Sequence, residues 1–327
     1  MAPALAEMTY VLPIRRDAVP ASDDLASYLA ELSPRMPVIV VDGSPPEIFA
    51  RHAAMWPRSI AHVPVDADRA RDLNGKVAGV VTGLRRVRTP KAVVADDDVR
   101  WDPFALRRLE ALLDGAGVVR PQNVFAPAPW HAILDEGRTL IARATGGDWP
   151  GTLGLRMDAY ARVGGYDGGV LFENLEFVRT LRAAGAREIV AYDLYVARRP
   201  PTARHFFSQR LRQAYDELAR PGRYAAQLAL APAAALAVRS AGARGALALL
   251  CASIALAEAG RRRAGAHRVF PARASLLAPV WVLERAVTSW AALALFARGG
   301  VRYSNGRLRR AATPRRVLRA RYGARAA

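Results

Sequence analysis

Three consecutive carboxylates, Asp96 to Asp98, follow directly after a short apolar run, Ala92 to Ala95. Such a run is typical of a buried strand, so the three acids stand at a strand end. Carboxylate oxygens are the ligands that hard divalent cations such as Mg²⁺ and Mn²⁺ prefer. The triplet therefore predicts a metal site. The alternative is a solvated turn before the Asp102-Pro103 pair.

Two other segments place polar groups where a nucleotide can bind. In Asp42-Gly43-Ser44 the aspartate ends an apolar run, and there it can accept hydrogen bonds from a base or ribose, or close a turn. In Asn74-Gly75-Lys76 the backbone N–H groups of a helix start and the lysine charge suit a phosphate. The segment is not a P-loop, because no second glycine stands five residues before Gly75.

Further along the chain, single residues have types suited to a second substrate. Glu173 stands at a predicted helix start, where it can act as an acid or base or can interact with the helix dipole. Gln209 and Arg212 are three residues apart, so they share one helical face. Trp149 can stack on a sugar or pack within its loop.

The elements that must position these residues alternate between strand and helix. The predicted strands are Thr9–Leu12, Val38–Val41, Ile60–Val63 and Ala92–Ala95. Helical periods follow three predicted caps, which are Ser22-Asp23, Asn74 and Asp102-Pro103. This succession predicts an α/β fold, an open and mostly parallel sheet with helices on both faces. Ligands of such sheets bind beyond the carboxyl ends of the strands, where Asp42 and the acidic triplet would lie.

The composition indicates an anionic partner. The formal net charge is +19, and Lys76 and Lys91 are the only lysines, so arginine supplies nearly all of the excess. Phosphorylated ligands, an anionic membrane surface and nucleic acid all fit this charge. Nucleic acid fits less well, because the excess is concentrated in the last 130 residues or so, among Ala/Leu runs rather than stacking aromatics. The single cysteine, Cys251, fits a reducing compartment, and residues 1–7 lack the features of a signal peptide, so a cytoplasmic start is expected.

Two apolar stretches follow residue 220. The stretch Tyr224–Ala257 is broken by Arg239 and Arg244, and it predicts either two short helices joined there or one long span with snorkelling arginines. Ser275–Ala297 contains Glu284-Arg285 and suits an interfacial helix or one packed on protein. The predicted organisation is a catalytic domain (1–220), a membrane-associated helical region (221–300) and a basic tail (301–327). Arginine clusters flank the stretches and favour a cytoplasmic position for both ends, with a soluble Ala-rich bundle as the alternative.

In their order along the chain, the segments from Thr9 to Asp216 resemble the family 2 inverting glycosyltransferases of GT-A fold, especially membrane-attached members. The resemblance implies a metal-dependent hexosyltransferase that uses a nucleotide-sugar, such as a UDP-sugar, and a lipid or lipid-linked acceptor at the cytoplasmic membrane. The matched donor-side positions are Pro13, Arg15, Asp42, Lys76, Asp96, Asp98, Gln209 and Arg212. Asp96 and Asp98 correspond to the DxD motif that holds Mg²⁺ or Mn²⁺. The glycine-rich segment from Gly151 to Asp167 corresponds to the acceptor side, where Trp149 could also lie.

Two departures from the family pattern bear on activity. The family usually has Glu-Asp, with the aspartate as general base, where this chain has Glu173-Asn174. An amide cannot take a proton, so the base would be Glu173, or else Glu176 one turn further on. The motif Gln-x-x-Arg-Trp lacks its tryptophan here, since Gln213 follows Arg212. A nucleotide-sugar binding protein without activity is therefore an alternative function, and a basic nucleic-acid-binding protein is a second, less favoured one.

Overall fold

The structure is a computed structural model that describes residues 5, 7–19, 24–303 and 306–323. Within these residues it has one mixed eight-stranded sheet in the order β3-β2-β1-β4-β7-β6-β8-β5 and one small hairpin, β9-β10. The strands are β1 (Met8–Ile14), β2 (Val38–Asp42), β3 (Ala61–Pro64), β4 (Lys91–Ala95), β5 (Val99–Arg100), β6 (Val118–Phe125), β7 (Thr152–Arg156), β8 (Glu188–Arg198), β9 (Val301–Tyr303) and β10 (Gly306–Leu308).

The first four strands of the sheet are parallel, as the sequence predicts, and their bounds agree with the prediction to within two residues. Strand β7 enters antiparallel between β4 and β6, and β5 pairs antiparallel with β8. Since β6 and β8 are again parallel, the predicted α/β fold with a mostly parallel sheet is confirmed.

The helices cover both faces of the sheet and then continue into a helical region. They are α1 (Asp24–Leu32), α2 (Pro46–Met55), α3 (Gly75–Leu84), α4 (Pro103–Asp114), α5 (Trp130–Ala144), α6 (Met157–Ala161), α7 (Glu173–Ala183), α8 (Ala203–Asp216), α9 (Pro221–Leu228), α10 (Leu230–Arg262), α11 (Ala272–Leu276), α12 (Ala278–Ala297) and α13 (Arg315–Tyr322). Side chains alternate along the strands, so Leu12 and Val93 pack against α1 and α4 while Val11 and Val94 pack against α3 and α7.

Two of the predicted caps are present, at the start of α3, which carries Lys76, and at the start of α4. The Asn74 side chain accepts a hydrogen bond from the backbone N–H of Lys76, and the Asp102 side chain accepts from Phe104 and Ala105. Pro103 occupies the first turn of α4, where its missing N–H costs nothing. The third predicted cap, Ser22-Asp23, lies outside the described residues.

Helix α10 is broken at Gly242, whose φ of 56° is in the region that favours glycine. The two halves pack against each other, because a Cβ on Gly245 would lie 2.1 Å from the carbonyl oxygen of Ala237. The structure thus has two helices at this point, which is the first of the two predicted arrangements. Within the described residues, the helical stretches 221–268 and 272–297 are long and apolar enough to cross a membrane, judged by length and composition alone.

The chain after α12 returns to the domain built on the eight-stranded sheet. Leu308 and Ala311 pack beside α7 and α8, and Leu318 and Tyr322 of α13 join the core below α3. The backbone N–H of Thr313 donates to the Glu176 carboxylate over 2.7 Å. Residues 306–322 therefore complete the packing of the domain that precedes the apolar helices, while the predicted three-part division of the chain stays a prediction.

Candidate active site

Two adjoining cavities open at the carboxyl ends of β1, β2 and β4 in the described part of the chain. The strand-side cavity, of about 660 Å³, extends from the shared acids toward Pro13, Arg15 and Gly43. The helix-side cavity, of about 290 Å³, extends toward Trp149 and Arg285. Residues that line both are Lys76, Asp96, Asp98, Glu173, Arg198, His205 and Arg212. The structure therefore brings the predicted metal, phosphate and base residues to one place.

Lys76 lies at the centre of this site and joins two of the predicted acids. Its Nζ atom is 2.6 Å from Asp96 Oδ1 and also forms an ion pair with Glu173 Oε1. Burial alone would lower the pKa of the Lys76 ammonium, but the charges of Asp96 and Glu173 raise it above its ordinary value. Lys76 is therefore a permanent cation where β4 ends and α3 and α7 begin.

Asp98 has one oxygen atom paired and one free. Its Oδ2 accepts hydrogen bonds from the guanidinium of Arg198, which the pairing of β5 with β8 places beside it. Its Oδ1 is buried and has no hydrogen-bond partner among the described residues. A buried carboxylate oxygen without a donor is costly, so this atom is suited to a cation. Arg198 was not predicted, because nothing in the local sequence links it to Asp98.

The two outer acids of the triplet fit a divalent metal that takes its other ligands from elsewhere. No cluster of three or more His, Cys, Asp or Glu residues suited to a metal occurs among the described residues. Mg²⁺ at phosphate sites usually needs only one or two carboxylates, because phosphate oxygens and water complete its shell. Asp96 and Asp98 meet that requirement. Asp97 instead faces Arg16, with 3.5 Å between its Oδ2 and Nη2 of Arg16.

Gly151 packs directly against Asp96. The backbone N–H of Asp96 donates to the Gly151 carbonyl over 2.8 Å, and a Cβ on Gly151 would lie 2.4 Å from Asp96 Oδ2. Gly151, which was predicted on the acceptor side, therefore also holds the Asp96 carboxylate in place. Trp149, two residues earlier, lines the helix-side cavity, and the guanidinium of Arg120 lies 4.1 Å from its ring centroid.

The contact of Gly151 with Asp96 leads to a prediction on metal binding. Gly151→Ala is expected to displace the Asp96 carboxylate and weaken Mn²⁺ binding by about 10- to 100-fold, the range for residues that orient metal ligands. Free Mn²⁺, counted by electron paramagnetic resonance in a titration with nucleoside diphosphate present, measures this. Gly115→Ala is the control, because a Cβ there would meet no atom within 4 Å. Equal Mn²⁺ affinity in the two variants would contradict the role of Gly151.

Helix α8 presents a polar face to the site. Gln209 and Arg212 line the helix-side cavity as predicted, and Asp216 lines it one turn further on. The spacing of 209, 212 and 216 places all three on one face, and this signal could have identified Asp216 from the sequence. Burial raises the pKa of the Asp216 carboxyl to about 7, against the opposing charge of Arg212. Its Oδ1 has no hydrogen-bond partner among the described residues, so Asp216 is a second possible base.

The aromatic ring that the Gln-x-x-Arg motif lacks comes from another part of the chain. The guanidinium carbon of Arg212 lies 5.5 Å from the ring centroid of Tyr303, at the end of β9. This separation permits a cation–π contact. The sequence contains no local signal for it, since ninety residues separate the partners.

Asp42 closes the turn after β2, which is one of its two predicted roles. Its carboxylate accepts hydrogen bonds from His52 Nδ1 at 2.7 Å, His62 Nε2 at 3.0 Å and the backbone N–H of Ser44 at 2.9 Å. Burial would raise the pKa of Asp42, but these hydrogen bonds, led by that of His62, hold it well below its ordinary value. Its neighbour Gly43 lines the strand-side cavity. Asp42 thus fixes the turn beside the cavity, and direct contact with a nucleotide stays a prediction.

The residues near Glu173 are engaged in structural contacts. Glu176, the second base proposed from the sequence, is 0% exposed, and its Oε2 accepts from Thr313. The Asn174 side chain donates to the carbonyl of Pro150 over 3.2 Å, so it ties α7 to the loop before β7. Glu176 is therefore not placed to meet a substrate, and Glu173 and Asp216 are the acids that face the helix-side cavity beside Arg212.

Comparison with solved structures identifies the fold. The mannosyltransferase PcManGT from Pyrobaculum calidifontis, solved with GDP-mannose and Mn²⁺, matches with a TM-score of 0.50 and 20% identity over 88% of this chain and 86% of that chain. Glucosyl-3-phosphoglycerate synthase from Mycobacterium tuberculosis, solved with Mn²⁺ and UDP-glucose, matches with a TM-score of 0.39 and 16% identity over 62% and 74% of the two chains. No protein-family model and no curated protein matches the sequence. The likeness to PcManGT, together with the sheet order, shows that this chain has a GT-A-type fold.

Proposed function

We propose that the protein is a metal-dependent inverting glycosyltransferase of the family 2 type that moves a hexose from a nucleotide-sugar, such as a UDP-sugar, to a lipid or lipid-linked acceptor. The main support for this proposal is that one cavity at the end of β4 is lined by Asp96, Asp98, Lys76 and Glu173. The GT-A-type fold supports the proposal, and the structural neighbour PcManGT was solved with GDP-mannose and Mn²⁺.

The donor side of the site binds the nucleotide diphosphate. Pro13 and Arg15 line the strand-side cavity on the nucleotide side, beside the turn that Asp42 fixes. Asp96 and Asp98 would hold Mg²⁺ or Mn²⁺, which when bound neutralises charge on the diphosphate leaving group. Lys76 and Arg212 face the same space and add positive charge there, and Gln209 can donate hydrogen bonds.

The acceptor side needs a base, and Glu173 is the first candidate. Its carboxylate would take the proton of the acceptor hydroxyl, whose oxygen then attacks the anomeric carbon from the face opposite the diphosphate. One displacement of this kind inverts the configuration. Glu173 is paired with Lys76, so attraction of Lys76 to the diphosphate would free the carboxylate to act.

The helical region supports a position at the cytoplasmic face of a membrane. A stripe of apolar side chains on α11 and α12 is exposed, and its members are Leu276, Val280, Leu283, Val287 and Trp290. A contiguous exposed stripe of this kind marks an interaction surface. The arginine clusters 261–263, 309–310 and 315–316 flank this region in the sequence, and their charge complements anionic headgroups. The acceptor is therefore proposed to be a membrane lipid or to be carried by one.

A nucleotide-sugar binding protein without activity is the second function. Asn174 in place of the usual aspartate and the ion pair of Glu173 with Lys76 favour it. Purified full-length protein is tested with a panel of UDP- and GDP-sugars, extracted membrane lipids, and Mn²⁺, Mg²⁺ or EDTA. The proposal predicts release of nucleoside diphosphate that needs both metal and lipid. Metal-dependent binding without release would support the second function, and no binding of any donor would contradict both.

A further inference from the structure

Helix α12 packs against α5 near its start and against α8 and α9 further along. Near its start, Gly137 of α5 packs so closely that a Cβ there would lie 2.7 Å from the backbone nitrogen of Ala278. In its second half, the Tyr224 hydroxyl donates to the Ser289 carbonyl over 2.8 Å, and Phe296 packs with Tyr215 of α8. The inward residues are Ala278, Trp281, Arg285, Ser289 and Ala292. The outward stripe faces away from the domain, so α12 is suited to lie in one leaflet while its inner face forms part of the site.

Arg285 is on that inner face, and its charge is poorly compensated. It is 2% exposed, and its Nε and Nη1 atoms have no hydrogen-bond partner among the described residues. The nearest carboxylate oxygen in an ion pair with it, Glu284 Oε1, is 3.8 Å from Nη2, while the other oxygen of Glu284 is bound by Arg210. The guanidinium carbon of Arg285 also lies 5.4 Å from the ring centroid of Trp281. Burial of a guanidinium without a close anion is unfavourable, so Arg285 is prepared for a ligand.

Arg138 and Arg220, which also line the helix-side cavity, differ from Arg285 because each has a close carboxylate. Arg138 is held by Asp135 at 2.8 Å and by Asp148 at 2.7 Å. Arg220 is held by Glu217 at 2.6 Å. Trp281 and Arg285 line the cavity whose other end is formed by Asp98 and Glu173. A single space therefore connects the proposed reacting groups with an unsatisfied guanidinium on the helix that faces lipid.

We propose that Arg285 binds a phosphate group of the acceptor, and that the acceptor is a phosphate-bearing membrane lipid. This rests on the proposed function and narrows its acceptor class. Guanidinium donors match phosphate oxygens in geometry and charge. The lipid chain would lie against the outward stripe of α12, and the phosphate would enter the cavity beside Trp281. Inorganic phosphate has the same binding chemistry, so the experiment must separate the two.

The test measures binding without any sugar transfer. Full-length Arg285→Met and Arg273→Met proteins are compared with the parent protein for sedimentation with phosphatidylcholine vesicles that contain or lack phosphatidic acid. Arg273 is the control because it is an exposed arginine on neighbouring α11. Arg285→Met is expected to lose about tenfold in affinity for the phosphatidic acid vesicles, as for one charge-assisted hydrogen bond, and Arg273→Met much less. Arg285→Lys is expected to recover part of the loss.

Three results would overturn the proposal. Equal losses in Arg285→Met and Arg273→Met would show only diffuse attraction to anionic lipid. Protection against thermal unfolding by inorganic phosphate, dependent on Arg285 but without preference for phosphatidic acid vesicles, would assign a free-phosphate site. Unchanged binding in a folded Arg285→Met protein, with its melting temperature retained, would remove Arg285 from any phosphate site. Binding of the nucleotide-sugar donor to the parent protein is measured in parallel. Absence of donor binding would refute the proposed function, whereas the vesicle results test the role of Arg285 independently.

Discussion

Asp98→Asn is expected to lower sugar transfer by about 10²- to 10³-fold, the range for loss of one group that stabilises developing charge. The amide keeps the shape of the side chain but removes the charge that a divalent cation needs at the unpaired Oδ1. Steady-state release of nucleoside diphosphate at saturating donor and Mn²⁺ measures the effect.

Asp97→Asn is the matched control within the same triplet. The Asp97 side chain is 44% exposed and its nearest cation, on Arg16, is 3.5 Å away, so its charge is partly screened by solvent. This variant is expected to retain most of the activity. Melting temperatures must accompany the comparison, because Asp98→Asn also leaves the partly buried Arg198 without its carboxylate. A folded Asp98→Asn protein with full transfer would contradict the metal role of Asp98.

Glu173→Gln is expected to reduce kcat by about 10²- to 10⁴-fold, because the amide cannot take the proton of the acceptor hydroxyl. Donor binding should remain, since Lys76 keeps its contact with Asp96 at 2.6 Å. The kcat of Asn174→Asp is a useful comparison, because this variant has the Glu-Asp pair that is usual in the family 2 glycosyltransferases the sequence resembles. Full transfer by Glu173→Gln would eliminate Glu173 as the base.

The pH dependence of the transfer rate in Asp216→Asn and Glu173→Gln shows which of the two acids is the base. Burial raises the pKa of Asp216 to about 7, so a reaction that uses its carboxylate would gain rate as pH rises through 7. If Glu173 is the base, Asp216→Asn keeps a measurable rate and Glu173→Gln loses it at every pH. The reverse pattern would assign the base to Asp216.

The free energy of unfolding should depend on pH in the opposite direction to such a rate. Folding raises the pKa of Asp216 from 3.8 to about 7, so Asp216 stabilises the folded protein below pH 4, and this contribution is lost as pH rises through 7.

The sequence predicted the centre of the site because strand ends are visible in it. Apolar runs that end in Asp42 and Asp96 identify the carboxyl edge of a parallel sheet, and Asn74 identifies the helix start that carries Lys76. Parallel strands end at a common edge, so these residues had to converge. The structure confirms the fold and places Lys76 within ion-pair distance of Asp96 and Glu173.

The remainder depends on contacts between distant parts of the chain. Arg198 meets Asp98 across a separation of one hundred residues, and Tyr303 reaches Arg212 from β9. Periodicity reports which face of an element is buried but not what covers it. For the same reason the two histidines that hold Asp42 were not predicted, although Asp42 itself was.

The C-terminal region shows the same limit. The sequence around Arg285 predicted a helix that is interfacial or packed on protein, and in the structure Arg285 and Ser289 of this helix are buried. What the sequence could not show is that Arg285 faces the helix-side cavity without a close anion. Arg285 lacks a close anion because the carboxylate of Glu284 accepts a hydrogen bond from Arg210 of α8.

Mass and anomeric analysis of the lipid product is the most direct test of the proposed transfer. The full-length protein is incubated with extracted membrane lipids, Mn²⁺ and the nucleotide-sugar that supports turnover. We expect a lipid whose mass increases by one hexose residue, whose anomeric configuration is opposite to that of the donor, and which does not form with Asp98→Asn. Retained configuration would contradict the single displacement, and the absence of any glycosylated lipid with every donor would contradict the proposed glycosyl transfer to lipid.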